Sequence, residues 1–434
     1  MLMILFFGAL GFELLNYFYY KKVSNFINNK KTHSCTNETI NTGWLENYWL
    51  HELTKTELSQ WVLNTINYHY KNKEKGIDYK KASFEEIDRR KMIKWTGYHL
   101  YFKAFKELTE LEKKNTERIL LLMEAKLNFN FSDINIRDRN LDYKLDFSKF
   151  GKNRMVISYK PNILYVALNI LKNTTYLILN MLGFKRYQTE KSKITYFYYK
   201  DDKHKETTMF LHGLGFGITP YLTSILKLKH TCNVILIIIP NVSNMEFPNI
   251  IEELSHDILF PSSKVWRSAI KGILEYHQLQ EINIIAHSFG TIILGLLLKD
   301  SVLRSKLKRK IFVDPVCFID ECYKIYQYIN LPNNCNLINK VFNKIIYEDI
   351  YVRYVTERFM FGPEYWINSY DFLSSNHNLV ILSFNDQLIP SLTLYKRMVK
   401  ENIPCLLVDR ANHADIFLTN EYQFVVEYLL STLK

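Results

Sequence analysis

Residues 282–295, INIIAHSFGTIILG, decide how the second half of the sequence is interpreted. The first part is an apolar run typical of a strand buried on both faces, and the last part is typical of a buried helix. Ser288 lies between them, two residues after Ala286 and two residues before Gly290. Small residues at those positions permit a sharp strand-to-helix turn that holds a serine in a strained backbone conformation. The stretch therefore predicts either a nucleophilic serine or an ordinary serine at the end of a buried strand.

Strand-like apolar runs recur on both sides of this stretch. Helical stretches separate several of them, so we predict an α/β fold over residues 194–434, a mostly parallel sheet with helices on both faces. Residues 318–376 are too long for a simple crossover and predict a helical cap insertion. The runs are ITYFYYK (194–200), TTMFLHG (207–213), NVILIIIP (233–240), INIIAHS (282–288), KIFVDPV (310–316), NLVILSF (378–384) and IPCLLVD (403–409).

A nucleophilic serine needs hydrogen-bond donors aimed at the oxyanion that develops during acyl transfer. FLHGLGFG, residues 210–217, places three glycines directly after a predicted strand. Such a turn can present backbone amides, and we predict an oxyanion hole formed by the amides of Leu214 and Phe289. His212 is then a structural part of the turn. The alternative is a glycine-rich turn without chemistry.

The serine also needs a base and an acid, which follow the nucleophile in this chain order. His413, in the loop after the last predicted strand, is the candidate base. Asp386 and Asp314 each end a predicted strand and compete for the role of acid. We favour Asp386, which follows the cap insertion, and expect Asp314 to support the cap entrance or orient a neighbour. His287 is expected to point away from the site.

With these motifs, residues 194–434 resemble the α/β-hydrolase superfamily. The sequence also resembles, more narrowly, a group of hydrolase-like proteins from fungi and other microbial eukaryotes that carry an N-terminal hydrophobic anchor and a helical preface. The resemblance implies a serine-hydrolase triad and says little about the substrate. Ala286 departs from the glycine that is usual in this group. The matching motifs are HGLGFGITPY (212–221), HSFGT (287–291), VDPV (313–316) and Trp95.

The chain opens with MLMILFFGALGFELLNYFYYKK, residues 1–22. An apolar run that ends in aromatic residues and lysines is typical of a membrane segment with a cytosolic positive flank. We therefore predict a hydrophobic membrane anchor over residues 1–22, with the catalytic domain facing the cytosol. A buried N-terminal helix and a monotopic anchor are the alternatives. Residues 32–193 are predicted to form a helical region between the anchor and the α/β domain.

One helix of this region, residues 162–184, has an unusual pattern. Asn162, Asn169, Asn173 and Asn180 fall on one narrow stripe at 100° per residue, and the remaining circumference is almost wholly apolar. Such a helix could lie on a membrane, line a helix bundle or flank a substrate entrance. The alternative is a helix buried in the protein with a hydrogen-bonded asparagine seam.

Composition narrows the function classes further. The formal net charge is +12, but no zinc-finger spacing, basic-helix register or arginine-rich tract accompanies it, so nucleic acid is not predicted as a partner. Attraction to an anionic membrane or a drift towards lysine explains the charge better. Six cysteines are widely spread without a CxxC pair, which indicates a reducing compartment.

Together these features predict a membrane-associated serine hydrolase that cleaves an ester or thioester of an apolar acyl group. The apolar substrate and membrane lipid are the predicted partners, and neither a metal nor an organic cofactor is required. The aromatic part of the cap, near Phe359, Phe361, Tyr365 and Trp366, is expected to shape an acyl channel with the asparagine-striped helix. Two alternatives are an acyltransferase with the same triad and a non-catalytic scaffold or receptor with this fold.

Overall fold

The computed structural model of this protein describes most of the chain and divides it into two compact units. One unit comprises residues 31–153, and the other comprises residues 1–30 and 154–434. The described residues are 13–18, 20–22, 24–25, 45–46, 48–70, 83–101, 103–132, 143–147, 155, 157–243, 260–318, 345–360, 365–367, 377–418, 422 and 425.

In its described residues, the unit of residues 31–153 has three α-helices and a two-stranded antiparallel sheet. Capping boxes of Thr54 with Glu57 and of Thr109 with Glu112 open the first and third helices. Its core includes Trp95, whose indole Nε1–H donates to the hydroxyl of a buried threonine at 2.9 Å. The sequence did not predict the strand pair. The elements are α1 (Lys55–Thr65), β1 (Ile66–Tyr70), α2 (Arg89–Tyr101), α3 (Glu110–Leu127) and β2 (Tyr143–Phe147).

The second unit is built on an eight-stranded sheet. Strands β5 to β10 are parallel, and β4 and β3 continue the sheet antiparallel at one edge. The strand order is β10-β9-β8-β7-β5-β6-β4-β3. Its strands are β3 (Lys185–Gln188), β4 (Thr195–Tyr199), β5 (Thr207–Leu211), β6 (Asn233–Ile237), β7 (Ile282–His287), β8 (Leu307–Val313), β9 (Asn378–Ser383) and β10 (Cys405–Val408).

Helices cover this sheet on both sides, as the predicted fold class requires. Strands β5, β6, β7 and β9 are buried along their whole length, which explains their continuous apolar sequences. The helices are α4 (Asn162–Met181), α5 (Leu222–Lys229), α6 (Ser263–Tyr276), α7 (Gly290–Leu298), α8 (Ser301–Lys306), α9 (Ile350–Arg358) and α10 (Ser391–Lys400).

The sheet begins earlier in the chain than the predicted boundary at residue 194. Strand β3 pairs with β4, and α4 belongs to the same compact unit. The sequence KRYQ of β3 lacks a long apolar run because β3 is an exposed edge strand. The seven strands predicted from apolar runs correspond to β4 through β10.

The strand order reverses around β5, which has β6 on one side and β7 on the other. Such a reversal leaves a crevice at the carboxyl ends of the flanking strands, where open α/β sheets bind their ligands. The loops that follow β5 and β7 meet there, and these loops carry the glycine-rich turn and Ser288. The fold therefore brings two separate sequence motifs to one edge of the sheet.

The predicted cap insertion, residues 318–376, is described in part. Helix α9 lies within it and is capped by Asp349, whose carboxylate accepts from the amides of Tyr351 and Val352. The same carboxylate forms a buried ion pair with Lys160, with Nζ and Oδ2 2.6 Å apart. The insertion is thereby tied to the segment that precedes α4.

Residues 13–18 and 20–22 are helical and contact the start of α4. The carboxylate of Glu13 accepts from the hydroxyl of Tyr159 at 2.5 Å and from the amide of Asn162 at 3.0 Å. Residues 1–12 of the predicted anchor lie outside the described residues. In the described ranges, no helix has both the length and the apolar character that crossing a bilayer requires.

Candidate active site

Ser288 lies at the turn between β7 and α7, as the sequence predicts. Its φ is +47°, a left-handed backbone conformation that a serine adopts only under constraint from its surroundings. The turn is narrow at Gly290, since a Cβ built there would lie 2.4 Å from the carbonyl oxygen of Leu211 in β5. Ala286 at the other side of the turn is completely buried. The strand-to-helix turn therefore accommodates Ala286 and has no space for a side chain at Gly290.

The structure brings the three predicted triad residues together. The hydroxyl of Ser288 donates to Nε2 of His413, with a separation of 2.9 Å. The other ring nitrogen, Nδ1, donates to Oδ2 of Asp386 at 2.6 Å. A carboxylate can only accept, so Nδ1 carries the proton and Nε2 is free to take one from the serine.

Asp386 is held by its own turn. Its second oxygen, Oδ1, accepts from the amides of Leu388 and Ile389 at 2.8 and 3.0 Å. The carboxylate side chain is completely buried, whereas the side chain of His413 retains 24% exposure. Asp386 therefore has one oxygen fixed by the backbone and one directed at the base.

Electrostatics at His413 favour the charged imidazolium. Partial burial lowers the pKa of His413, but the negative charge of Asp386 and its hydrogen bond outweigh that effect. The charges of Asp314 and Asp415 raise this pKa further. The net result is a pKa above 6.5, as expected of a base that must hold a proton during a reaction.

Asp314 lies beside the candidate site. Its hydrogen bonds go to Ser383 and Ala414 and not to Ser288 or His413. Asp314 follows β8, has a φ of +43° and is completely buried. Oδ1 accepts from the amide of Ser383 at 2.7 Å, and Oδ2 accepts from the hydroxyl of Ser383 and the amide of Ala414, both at 2.9 Å. Burial raises the pKa of Asp314. Asp314 therefore orients its neighbours, one of the two roles predicted for it.

The glycine-rich turn lies against Ser288. A Cβ built on Gly213 would lie 3.1 Å from the Cβ of Ser288 and 2.7 Å from Nδ1 of His287. In the described part of the chain, the backbone amides of Leu214 and Phe289 form no hydrogen bond. Two unpaired amides beside a nucleophile are the arrangement that an oxyanion hole needs. The assignment of both amides to the oxyanion hole stays a prediction.

His212 is buried in this turn and is neutral. Its Nδ1 donates to the carbonyl of Gly213 at 2.8 Å, and its Nε2 accepts from the amide of Ile239 at 3.0 Å. Burial lowers its pKa to about 4. The interpretation of His212 as a structural residue agrees with these contacts.

The prediction that His287 points away from the site is wrong. Its ring centroid lies 5.1 Å from that of His413, and Nδ1 is 2.7 Å from the hydroxyl of Tyr221. That hydroxyl also accepts from the amide of Gly213 at 3.1 Å. Burial holds the pKa of His287 well below 6.5. Sequence reasoning missed Tyr221, although it ends the HGLGFGITPY motif.

Potential metal-ligand atoms of His287, Asp314 and His413 lie within 4.8 Å of one another. The carboxylate of Asp314 already accepts three hydrogen bonds, and both nitrogens of His413 are engaged in the triad. The closeness of Asp314 and His413 is therefore explained by the hydrogen bonds that each of them makes.

The backbone at Tyr365, one of the predicted cap residues, lies against α7. Tyr365 and Trp366 are both buried, and a Cβ on Gly295 of α7 would lie 2.9 Å from the carbonyl oxygen of Tyr365. Phe359 instead contacts Phe260, at 5.1 Å between ring centroids. Phe361 lies outside the described residues.

The order of the sheet strands identifies the fold, and the three predicted triad residues follow β7, β9 and β10. The chain has the α/β-hydrolase fold. The fold is therefore the one that the superfamily-level resemblance implies, and the narrower resemblance to the anchored fungal and microbial eukaryotic group stays a prediction. No family model and no curated protein matches the sequence.

Solved structures of hydrolases are similar to this chain. A bacterial membrane phospholipase A is 11% identical with a TM-score of 0.45, covering 62% of this chain and 94% of its own. The carboxylesterase CesB from Bacillus subtilis is 13% identical with a TM-score of 0.46, covering 62% and 99%. A 2-hydroxy-6-oxo-6-phenylhexa-2,4-dienoate hydrolase from Rhodococcus is 14% identical with a TM-score of 0.42, covering 57% and 98%. The fold assignment rests on the strand order of the sheet itself.

Proposed function

We propose that this protein is a serine hydrolase that cleaves an ester or thioester of an apolar acyl group. The observation that carries the proposal is the continuous hydrogen-bonded row from Ser288 through His413 to Asp386. The strained φ of Ser288 adds support, because backbone strain of this kind is concentrated at functional sites. A scaffold without catalysis would have no need of either feature.

The proposed reaction follows from the protonation states. His413 takes the proton of the Ser288 hydroxyl as its oxygen attacks the acyl carbon, and Asp386 stabilises the resulting imidazolium. The amides of Leu214 and Phe289 stabilise the oxyanion of the tetrahedral intermediate. His413 then returns the proton to the leaving alcohol or thiol, and water releases the acyl group by the same steps.

The apolar acyl group is inferred from the surroundings of the turn. Phe289 contacts Phe260, with ring centroids 5.8 Å apart, and Phe260 contacts Phe359 of the cap insertion. Aromatic rings therefore extend from the residue after the nucleophile to the cap. An acyl chain that enters beside this row meets apolar carbon rather than charge, which favours a hydrocarbon substituent.

A fluorophosphonate probe tests the proposal because it reacts with activated serines. We expect the parent protein to be labelled and the Ser288→Ala variant to remain unlabelled. Ser305→Ala is a matched control, since Ser305 lies in α8 and its hydroxyl donates to the carbonyl of Val302. A folded parent protein that stays unlabelled would contradict the proposal. Product analysis with added alcohols then separates hydrolysis from acyl transfer.

We also propose that the protein is associated with a membrane, with its catalytic domain on the cytosolic side. Residues 1–12 contain no charged side chain. Lys21 and Lys22, which come shortly after them in the chain, are exposed. Full-length protein is expected to stay with membranes after a high-salt wash. Release by salt would indicate attraction by surface charge alone.

A further inference from the structure

Helix α4 carries apolar side chains on two opposite faces. Tyr165, Leu168 and Leu179 are buried against the α/β unit. The opposite side, here called the α4 outer face, is exposed along the whole helix. Its members include Ile163, Ile170, Leu177 and Met181, which are 75%, 62%, 59% and 79% exposed, together with Val166, Leu171 and Ile178.

The α4 outer face is broad and almost without polar interruption. At 100° per residue its side chains cover a sector of about 140°, and Thr174 is the polar residue within it. Asn173 and Asn180 are exposed and lie along one border of the sector. Asn173 and Asn180 thus mark the border between a buried apolar face and an exposed one, whereas Asn162 of the same stripe is buried and hydrogen bonded to Asn16. Exposed apolar surfaces of this extent mark interaction sites.

A second set of exposed apolar side chains adjoins the beginning of this face. Leu14, Leu15 and Phe18 are all more than half exposed. Their helical segment is fixed to the start of α4, because the side chains of Asn16 and Asn162 are hydrogen bonded and Glu13 accepts from the amide of Asn162. The two sets of exposed apolar side chains therefore lie near one another at the start of α4.

The charges around this surface indicate what covers it. Lys21 and Lys22 are exposed beyond the N-terminal segment, and Lys185 and Arg186 are exposed just after α4. Helix α4 itself contains no acidic residue. An apolar surface with basic residues at both ends matches the acyl chains and anionic headgroups of a membrane leaflet. An apolar groove of another protein would match the apolar part and would not require the basic residues.

We propose that the α4 outer face lies in the headgroup–acyl boundary of an anionic bilayer leaflet, together with Leu14, Leu15 and Phe18. This placement also accounts for the composition of α4, since an apolar helix face is normally covered by another apolar surface.

The surface is connected to the candidate active site. On the buried side of α4, Oγ1 of Thr175 is 2.9 Å from Oγ1 of Thr219. Thr219 follows the glycine-rich turn, and Tyr221 beyond it contacts the amide of Gly213. A leaflet on the outer face would therefore be one helix away from the oxyanion turn. If the protein is the proposed hydrolase, this position assigns its substrate to membrane lipids. That assignment rests on the proposed function.

Photo-cross-linking on the full chain tests the placement. A benzophenone amino acid replaces Ile170 or Leu177, and the protein is illuminated on vesicles of equimolar phosphatidylcholine and phosphatidylserine. We expect cross-links to lipid from both positions. Val399 in α10 is the matched control, because it is also apolar and 54% exposed but lies outside the surface. Cross-links to polypeptide alone, or none at positions 170 and 177, would overturn the proposal.

Vesicle flotation gives a second measure. The triple variant Ile163→Asn, Ile170→Asn and Leu177→Asn is expected to lower partitioning onto the same vesicles by about tenfold or more, since three large apolar side chains no longer enter the bilayer. The control triple variant, Val302→Asn, Leu392→Asn and Val399→Asn, removes three exposed apolar side chains elsewhere. Equal partitioning of the two triple variants would contradict the placement of the α4 outer face in the bilayer.

Fluorophosphonate labelling of Ser288 on the same preparations keeps the two proposals separate. Lipid cross-linking from positions 170 and 177 without labelling of Ser288 would support the surface and contradict the hydrolase. Labelling of Ser288 without lipid cross-linking would contradict the surface and leave the hydrolase supported.

Discussion

The amide of Ala414 donates to Oδ2 of Asp314 over 2.9 Å, which joins the loop of the candidate base to the end of β8. The same carboxylate accepts two hydrogen bonds from Ser383, the last residue of β9. Asp386 follows Ser383 closely, so the buried side chain of Asp314 fixes the loops of both the candidate acid and the candidate base. Asp386 and Asp314 therefore both lie near His413 but make different contacts, and their roles can be separated by mutation.

Asp386→Asn is expected to lower turnover by about 10⁴, because an amide cannot stabilise the imidazolium and favours the wrong tautomer of His413. Asp314→Asn is expected to lower turnover by about tenfold, or ~1.4 kcal/mol, since it disturbs positions and leaves the triad hydrogen bonds in place. Steady-state kinetics on a soluble ester measures both. A larger loss from Asp314→Asn would move the acid to the end of β8.

The pH dependence of the reaction reports on His413. Its pKa is raised above 6.5, and only the neutral ring can take the serine proton, so kcat/KM should fall as pH drops through a value above 6.5. The charge of Asp314 contributes to that rise. Asp314→Asn should therefore shift the acid limb of the profile to lower pH. A limb that stays in place or moves upward in this variant would show that Asp314 acts through structure alone.

Gly290→Ala should destabilise the fold. The new Cβ would lie 2.4 Å from the carbonyl oxygen of Leu211, and overpacking of this kind costs about 1–3 kcal/mol. Gly272→Ala in α6 is the matched control, because a Cβ at Gly272 has no atom within 4 Å and should stabilise the helix by about 0.5–1 kcal/mol. Urea unfolding gives both values. A neutral Gly290→Ala would mean that the strand-to-helix turn is less crowded than described.

Gly213→Ala tests the glycine-rich turn. The added methyl group would press against His287 and the Cβ of Ser288 and displace the neighbouring Leu214 amide. Loss of one oxyanion donor lowers kcat by about 10²–10³. The effect should fall on kcat with little change in KM, because the donor acts on the developing charge. A change confined to KM would assign the turn to substrate binding instead.

The sequence was sufficient to predict the parallel part of the sheet and to select Ser288, Asp386 and His413, which hydrogen bonds join in the structure. Long apolar runs mark strands that are buried on both faces, as β5, β6, β7 and β9 are, and similar runs also mark β4, β8 and β10, which include partly exposed positions. The triad followed from chain order, since Ser288, Asp386 and His413 each come after a strand. The position of a residue along the chain restricts where it can lie, because the loops that follow parallel strands all lie at the same edge of the sheet.

Other features depend on contacts that pattern reasoning cannot reach. Strand β3 is a short, polar edge strand, and its pairing with β4 leaves no periodic signal. The direction of the His287 ring depends on the hydroxyl of Tyr221, which lies far away in sequence. The exposed side of α4 could not be identified either, because both of its faces are apolar in sequence. In each case a tertiary contact decides between conformations that the local sequence permits equally.

The position of β10 has a consequence for how activity would be lost. This four-residue strand is the outermost of the parallel set and is partly exposed, and the loop that bears His413 follows it directly. Ser288 follows β7, a completely buried strand near the middle of the sheet. Local opening of the edge would separate base from nucleophile while the central strands stay paired. On heating, the reactivity of Ser288 should therefore disappear at a lower temperature than the far-ultraviolet circular dichroism of the sheet.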